Sequence, residues 1–163
     1  MRAYVGVGSN LGDRWANLAQ AARELRREPK IALLRSSRVW DAAPLGPPQP
    51  RYLNAVLELE VELPPLALLA ALQRIERNAG RVRTGARWSA RTLDLDLLLY
   101  GDEVIRRPRL VMPHPGLVAR RFVLAPLAEL CPDRVVPGTG RTVAQLLALV
   151  PPEDLAPAGL YPA

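Results

Sequence analysis

Two aspartates, Asp94 and Asp96, interrupt the stretch TLDLDLLLY, which otherwise has the pattern of a buried strand. A carboxylate that enters apolar surroundings is costly unless a cation or hydrogen-bond donors compensate its charge. Residues two apart on a strand point to the same side, about 6.6 Å apart along it. We therefore expect both carboxylates on one face, opposite Leu93, Leu95 and Leu97. This spacing suits Mg²⁺, which takes one or two carboxylates and fills its other positions with water and phosphate, better than Ca²⁺.

Four arginines lie just before this pair in a glycine-containing segment: Arg81, Arg83, Arg87 and Arg91. A guanidinium group can grip phosphate oxygens through two parallel hydrogen bonds. The Asp-x-Asp pair alone is also compatible with a solvated strand face. Metal-binding carboxylates beside several arginines are typical of a polyphosphate site, because both neutralise phosphate oxygens during phosphoryl transfer.

The common nucleotide-binding motifs are missing from the chain. No G-x-x-x-x-G-K-[ST] sequence occurs, and Leu11 stands where the third glycine of a dinucleotide fingerprint would follow Gly6 and Gly8. The site is therefore predicted to be neither a P-loop nor a Rossmann site.

Composition predicts one domain over residues 1–163, since 163 residues with 49% hydrophobic content can close one core. The net charge is +6, and Lys30 is the only lysine among 22 basic residues. This arginine-rich balance favours phosphate ligands or nucleic acid. The single cysteine, Cys131, excludes an internal disulfide and a multi-cysteine metal site. The chain shows no membrane-spanning run and no signal peptide, so we expect a cytoplasmic protein.

The order of predicted elements is β-α-β followed by β-α-β. The first strand covers residues 3–7, and a helix follows the turn GSNLGD. The second strand runs from Ile31 to Trp40, and a loop rich in proline and glycine precedes a third from Tyr52 to Leu63. A second helix starts at Pro64-Pro65, and the fourth strand runs from Leu93 to Tyr100. This order predicts an α+β, ferredoxin-like β-α-β-β-α-β sandwich with an antiparallel sheet and helices on one face.

The third strand and the C-terminal part carry further expectations. Alternation along the third strand places leucines on one side and Glu58, Glu60 and Glu62 on the other, which predicts a half-exposed strand. The extra C-terminal elements are a short strand near Val104 and helices over residues 124–130 and 143–149. The tail from about residue 151 is predicted to be irregular.

Five segments follow one another along most of the chain: GSNLGDR, PLGPPQPRYLNA, QRIERNAGRVR, RWSARTLDLDLLLYGDEVI and PHPGLVARRFVLAPLAEL. Together they resemble the 6-hydroxymethyl-7,8-dihydropterin pyrophosphokinase family of folate biosynthesis. The resemblance implies transfer of a pyrophosphoryl group from ATP to the pterin hydroxymethyl group, giving the pterin diphosphate and AMP. It also implies a ferredoxin-like fold, two Mg²⁺ ions, and ATP and the pterin as the small-molecule partners of a monomer.

The same resemblance implies roles for individual residues. Asp94 and Asp96 match the metal ligands, and Arg81 and Arg91 match mobile catalytic arginines that close on the phosphates. The ATP-binding positions also include Arg91, together with Gln73, Glu76, Arg83, Arg87, Leu97, Arg109, His114 and Arg120. Pterin recognition falls on Gly8, Pro44, Leu45, Tyr52, Asn54, Trp88 and Phe122. Ala42 and Ala43 stand where relatives often have threonine and proline, which puts one pterin contact in doubt.

Two other classes remain to be weighed against this interpretation. Single-stranded RNA-binding domains share the β-α-β-β-α-β order and basic surfaces, but they need aromatic residues on a central strand, and the third strand here offers an acidic face. A purely structural module leaves Asp94, Asp96 and the arginines unexplained. We therefore expect no nucleic-acid partner and no membrane partner.

Overall fold

The structure is a computed structural model that describes residues 1–80 and 92–162. The strands are β1 (Arg2–Ser9), β2 (Ile31–Ser36), β3 (Val39–Ala42), β4 (Tyr52–Val61), β5 (Asp94–Tyr100), β6 (Ile105–Arg107), β7 (Leu110–Met112), β8 (Val135–Val136), β9 (Arg141–Thr142) and β10 (Leu155–Gly159). The helices are α1 (Arg14–Arg26), α2 (Pro65–Asn78), α3 (Arg121–Leu130) and α4 (Val143–Leu149). Within the described residues, no helix combines the length and the hydrophobicity that a membrane crossing requires.

The main sheet is antiparallel and has the order β10-β3-β4-β1-β5, with β2 also pairing with β4. The first strand therefore lies between β4 and β5, as the predicted ferredoxin-like arrangement requires. The hairpin β6–β7 and the short pair β8–β9 stand apart from this sheet. The predicted α+β fold with an antiparallel sheet is confirmed.

Helices pack on both faces of the sheet. On one face, strand residues such as Val5 and Leu57 pack with Leu18 of α1 and Leu72 of α2. On the other face, a second cluster joins Val56 to α3 and α4. The prediction of helices on one face is right for α1 and α2. It is wrong for α3 and α4, which cover part of the opposite face.

The second predicted strand is interrupted. Residues 31–40 form β2 and β3, separated at Ser37, whose N–H donates to the Val56 carbonyl oxygen at 2.8 Å. The Ser37 hydroxyl accepts the Val56 N–H at 2.8 Å. A serine thus satisfies the strand backbone at the break, and β2 and β3 pair with different parts of β4.

The prediction of an irregular tail is wrong for residues 155–159, which form β10 against β3. The segment contains Pro157, which lacks an N–H group and argues against a central strand. Because β10 is the edge strand of the sheet, its outward side needs no donor there.

The prediction that Glu58 lies on an exposed face is also wrong, because only 3% of this residue is exposed. The Tyr4 hydroxyl donates to its carboxylate at 2.7 Å, and Arg35 donates through Nε and Nη2 at 2.9 and 3.0 Å. The Arg35 guanidinium holds the pKa of Glu58 below its usual value. Arg35 also donates to the Leu130 carbonyl oxygen at 2.8 Å and so joins the sheet to α3.

Candidate active site

Two glycines of β1 leave an open space above the middle of the sheet. Gly6 pairs with Asp96 of β5, and Gly8 pairs with Asn54 of β4 and Asp94 of β5. A methyl group added at Gly8 would lie only 2.8 Å from Asn54 Oδ1. Because β1 carries no side chains here, the side chains of β4 and β5 can face each other across it.

This space is a cavity of about 230 Å³, which we call the first cavity. Within residues 1–80 and 92–162, its walls come from four parts of the chain: the β1 glycines, the β3–β4 loop with the start of β4, the start of β5, and the start of α3. The lining residues are Gly6, Val7, Gly8, Ala43, Leu45, Gln49, Tyr52, Asn54, Ala55, Val56, Asp94, Asp96, Leu98, Arg120, Phe122 and Val123.

Asp94 and Asp96 share one face of β5, as predicted from their spacing. Asp94 is half-buried and Asp96 is exposed, whereas Leu95 and Leu97 are buried on the face that α1 and α2 cover. Both carboxylates border the first cavity, and Asp96 also borders a second one. The pair therefore lies at the junction of two spaces.

The second cavity has a volume of about 270 Å³ and lies between β5 and the hairpin β6–β7. Of the predicted ATP-binding residues that the structure describes, three border it: Leu97, Arg109 and His114. A fourth, Arg120, borders the first cavity instead. The predicted nucleotide residues are thus brought to both sides of Asp96.

His114 is held by backbone groups on two sides. Its N–H donates to the Leu98 carbonyl oxygen at 3.0 Å, and its Nδ1 accepts the Gly116 N–H at 3.0 Å. Burial and then the positive charge of Arg120 lower the pKa of His114, against an opposing effect of Asp94. The lowered pKa favours the neutral ring, and because Nδ1 accepts the Gly116 N–H we assign the ring proton to Nε2, which leaves one N–H to offer a ligand.

Glu76 has a different environment from the other predicted ATP-binding residues. Only 4% of it is exposed, and its Oε2 accepts the Leu95 N–H at 2.8 Å. Leu95 lies between Asp94 and Asp96, so the carboxylate holds the strand that carries them. Neither Glu76 nor the half-buried Gln73 borders either cavity.

The predicted pterin residues are largely brought together. Those bordering the first cavity are Gly8, Leu45, Tyr52, Asn54 and Phe122. Pro44 is half-buried between Ala43 and Leu45, and neither cavity includes it in its lining. The predictions for Trp88, Arg81, Arg83, Arg87 and Arg91 lie outside the described residues.

Sequence reasoning missed the pair Asn10 and Gln49. Only 1% of Asn10 is exposed, and its Nδ2 donates to Gln49 Oε1 at 2.8 Å and to the Pro50 carbonyl oxygen at 3.0 Å. Gln49 Nε2 donates to the Leu45 carbonyl oxygen at 3.1 Å. The asparagine of the GSN turn thus fixes the loop that forms one wall of the first cavity. A polar turn residue directly after a strand was the only signal for it.

The metal-binding side chains near β5 can be compared with the ligands that different metal ions require. Among the residues the structure describes, no three His, Cys, Asp or Glu side chains come together as a metal site. Zinc sites use three or four protein ligands, whereas Mg²⁺ needs only one or two carboxylates and accepts phosphate and water. Asp94 and Asp96, facing open space opposite two glycines, fit Mg²⁺ held jointly with a polyphosphate.

The sheet face that an RNA-binding domain would use for base stacking is occupied. Tyr4 and Val56 on this face pack with Leu124 and Leu127 of α3. The neighbouring position is taken by the buried Glu58 carboxylate. In the described part of this face, α3 therefore covers the central strand positions that would stack bases, and the aromatic residue of β4 on this face, Tyr52, borders the first cavity instead.

The chain matches the family model described as 7,8-dihydro-6-hydroxymethylpterin-pyrophosphokinase (HPPK) over residues 4–132. A 2-amino-4-hydroxy-6-hydroxymethyldihydropteridine pyrophosphokinase of Pseudomonas aeruginosa is 46% identical over 155 residues, which is 94% of each chain. The Bacillus subtilis protein of the same name is 42% identical over 130 residues, which is 79% of this chain and 77% of the relative.

Solved structures show the same fold. An HPPK-DHPS crystallised in complex with substrates aligns with a TM-score of 0.70 at 10% identity, over 90% of this chain and 42% of that chain. Wild-type Plasmodium falciparum HPPK-DHPS with pteroate aligns with a TM-score of 0.72 at 13% identity, with the same two coverages of 90% and 42%. This chain spans about two fifths of the length of those chains, and at such low identity the likeness concerns the fold alone.

Proposed function

The chain belongs to the 7,8-dihydro-6-hydroxymethylpterin-pyrophosphokinase family, and from this we propose how its two cavities divide the substrates. The protein transfers the pyrophosphoryl group of ATP to the hydroxymethyl group of 6-hydroxymethyl-7,8-dihydropterin in folate biosynthesis. We assign the first cavity to the pterin and the second to ATP. One observation carries this assignment: Asp96 borders both cavities, whereas the aromatic residues Tyr52 and Phe122 border only the first.

In the proposed pterin site, the flat heterocycle lies between Tyr52 on one wall and Phe122 on the other. A flat ring favours aromatic faces and a few fixed polar groups. Asn54 carries a donor and an acceptor on one side chain and can pair with the polar edge of the ring. Gly8 leaves the room in which the Asn54 amide lies.

In the proposed ATP site, each described residue has its own part. Leu97 gives an apolar surface, Arg109 a cation, and His114 the Nε2–H donor of its neutral ring. Arg120 borders the pterin side, where it can contact the transferred end of the triphosphate. Gln73 and Glu76 remain predicted ATP-side positions. Arg81 and Arg91 remain predicted catalytic arginines, and Arg83, Arg87 and Trp88 remain predicted substrate contacts.

Asp94 and Asp96 would hold two Mg²⁺ ions together with the phosphates of ATP. When bound, Mg²⁺ neutralises phosphate oxygens and so stabilises the charge of the transition state. The residues of the chain then align the reactants. The pterin hydroxyl oxygen forms a bond to the β-phosphorus, the bond from the β-phosphorus to the α,β-bridging oxygen breaks, and the hydroxyl proton is released. Transfer of two phosphates leaves AMP, not ADP.

We further propose that the protein acts as a monomer in the cytoplasm, where ATP is available. The support is that the described residues of one chain supply walls around both cavities. Sedimentation equilibrium with and without both substrates tests this point, and a dimer in both conditions would contradict it.

The direct experiment is incubation with ATP, Mg²⁺ and the reduced pterin, followed by separation of nucleotides. We expect AMP to form in equal amount to the pterin diphosphate. Asp96→Asn should lower the rate about 100-fold, a common effect of removing one electrostatic stabiliser. Asp102→Asn, at an exposed position that borders neither cavity, is the matched control and should keep the wild-type rate. Formation of ADP, or an Asp96→Asn rate close to wild type, would contradict the proposal.

A further inference from the structure

The segment between α4 and β10 passes both walls of the first cavity. We name residues 150–155 the C-terminal strap. It leaves the end of α4 at residue 149 and enters β10 at Leu155, which pairs with Ala42 of β3. Neither Glu153 nor Asp154 of the strap borders the first cavity itself. Asp154 contacts the lining residue Ala43 and Arg51 next to the lining residue Tyr52, and Glu153 contacts Arg121, which lies between two lining residues.

Asp154 holds the wall formed by the β3–β4 loop. Its carbonyl oxygen accepts the Ala43 N–H at 3.0 Å, and Ala43 borders the first cavity. Its carboxylate accepts hydrogen bonds from Arg51 Nη1 and Nη2 at 2.7 and 3.0 Å. Arg51 immediately precedes Tyr52, and it also forms an ion pair with Asp41. The two ends of the loop are thereby tied to one residue of the strap.

Glu153 holds the opposite wall. Its Oε2 accepts the N–H of Arg121, the first residue of α3, at 2.8 Å. The first N–H groups of a helix lack partners within it, and Arg120 at the cap position supplies no side-chain acceptor. A carboxylate there also opposes the partial positive charge of the helix start. Arg120 and Phe122, on either side of Arg121, both border the cavity.

Arg121 returns a second contact to the strap. Its Nη1 donates to the carbonyl oxygens of Val150 at 3.2 Å and Leu147 at 3.4 Å. The start of α3 is therefore fixed to the strap by a backbone donor and by a side-chain donor. Two consecutive carboxylates thus reach the two walls that Tyr52 and Phe122 supply.

We propose that Glu153 and Asp154 are positioning residues that set the distance between the two walls of the pterin cavity. A flat ring bound between two aromatic side chains is sensitive to this distance, because dispersion contacts weaken within a fraction of an ångström. ATP lies in the second cavity, and within these two walls only Arg120 can reach its triphosphate, so most of its contacts are independent of the strap. The inference rests on the assignment of the first cavity to the pterin.

The test is calorimetric titration of the whole protein with the reduced pterin in the presence of Mg²⁺ and an α,β-methylene analogue of ATP. The analogue blocks transfer because a methylene group replaces the oxygen between the α- and β-phosphorus, and the resulting carbon–phosphorus bond does not break. The test protein is the double variant Glu153→Ala/Asp154→Ala. We expect its pterin Kd to rise about fivefold, the size expected when a helix-cap interaction is lost. Its Kd for the ATP analogue should stay within twofold of wild type, about 0.4 kcal/mol.

Three single variants, Asp102→Ala, Glu153→Ala and Glu153→Gln, separate positioning from general loosening. Asp102→Ala breaks another exposed carboxylate–arginine pair, with Arg134 at 3.3 Å, and should change neither Kd. Glu153→Gln keeps an acceptor for the Arg121 N–H and should recover part of the pterin affinity that Glu153→Ala loses.

The outcomes are distinct. An unchanged pterin Kd in the double variant overturns the strap proposal, and so does an equal loss of affinity for both ligands. If wild type itself fails to bind the pterin, the assignment of the first cavity fails, and the strap proposal falls with it. A thermal melt of each variant confirms that the titrated protein is folded.

Discussion

Replacement of Gly8 by alanine is expected to damage pterin recognition far more than folding. The added methyl carbon would lie 2.8 Å from Asn54 Oδ1 and 3.4 Å from Tyr52 Cδ1. The second distance is an ordinary contact, so the strain falls on Asn54. Because the atom it meets is the end of a rotatable side chain, Asn54 can turn away while β1 and β4 remain paired.

The two effects can be estimated separately. Alanine restricts the unfolded chain and stabilises a compatible strand position by about 0.4–1 kcal/mol, which offsets the cost of turning Asn54. The free energy of unfolding should therefore change by less than about 1 kcal/mol. The site loses one or two hydrogen bonds from Asn54 to the pterin, worth about 1–3 kcal/mol in total. The pterin Kd should rise about 5- to 150-fold.

Gly6→Ala is the natural comparison. Gly6 lies on the same strand and borders the same cavity, but its added carbon would lie 3.5 Å from Leu98 Cδ1, an ordinary contact. The gain from restricting the unfolded chain is the same, whereas Asn54 is left in place. Pterin titration with the unreactive ATP analogue and urea unfolding should be measured for both variants. Equal loss of pterin affinity in the two, or no loss in Gly8→Ala, would refute the reasoning.

Two further predictions concern β5 and its surroundings. Glu76→Ala leaves the Leu95 N–H without this acceptor, and urea unfolding should show a loss of about 1–3 kcal/mol. Glu76→Gln should restore most of it, and equal stability of wild type and the alanine variant would contradict the contact. A separate prediction concerns His114, whose pKa in the folded state lies below its usual value. The folded state therefore binds fewer protons than the unfolded chain on acidification. As a result, the stability that is present above about pH 6.5 is lost as the pH falls. Urea midpoints between pH 5.5 and 7.5 should fall toward acid in wild type and less in His114→Gln. If the urea midpoints of the two proteins fell equally with pH, this would count against a lowered pKa of His114.

The arrangement of Asp94 and Asp96 could be predicted because it depends on local geometry. Alternation along one strand decides which side chains share a face, whatever that strand pairs with. The same rule placed Glu58 with the exposed acidic residues, and there it failed. Alternation gives the face of a side chain but not what covers that face, and α3 covers Glu58 from more than sixty residues away along the chain.

The contributions of Asn10 and Glu76 could not be predicted for a similar reason. Each acts through hydrogen bonds to a distant segment, Asn10 to the Gln49 side chain and the Pro50 backbone, and Glu76 to the Leu95 backbone. A backbone acceptor or donor leaves no mark in the sequence of the residue that supplies it. The strand β10 was not predicted because Pro157 argues against a strand. Only the sheet order shows that β10 lies at the edge, where a proline is tolerated.

The central place of β1 has a consequence for how the protein folds. Residues 2–9 are made early, but their two partners begin at residues 52 and 94. Such distant pairing slows folding, because long loops must close before any strand contact is gained. Until β5 emerges, β1 keeps one unpaired edge, which is a template for association with other chains. Refolding should therefore be slow, and more prone to aggregation at high protein concentration. The floor of the first cavity is completed only when β5 docks.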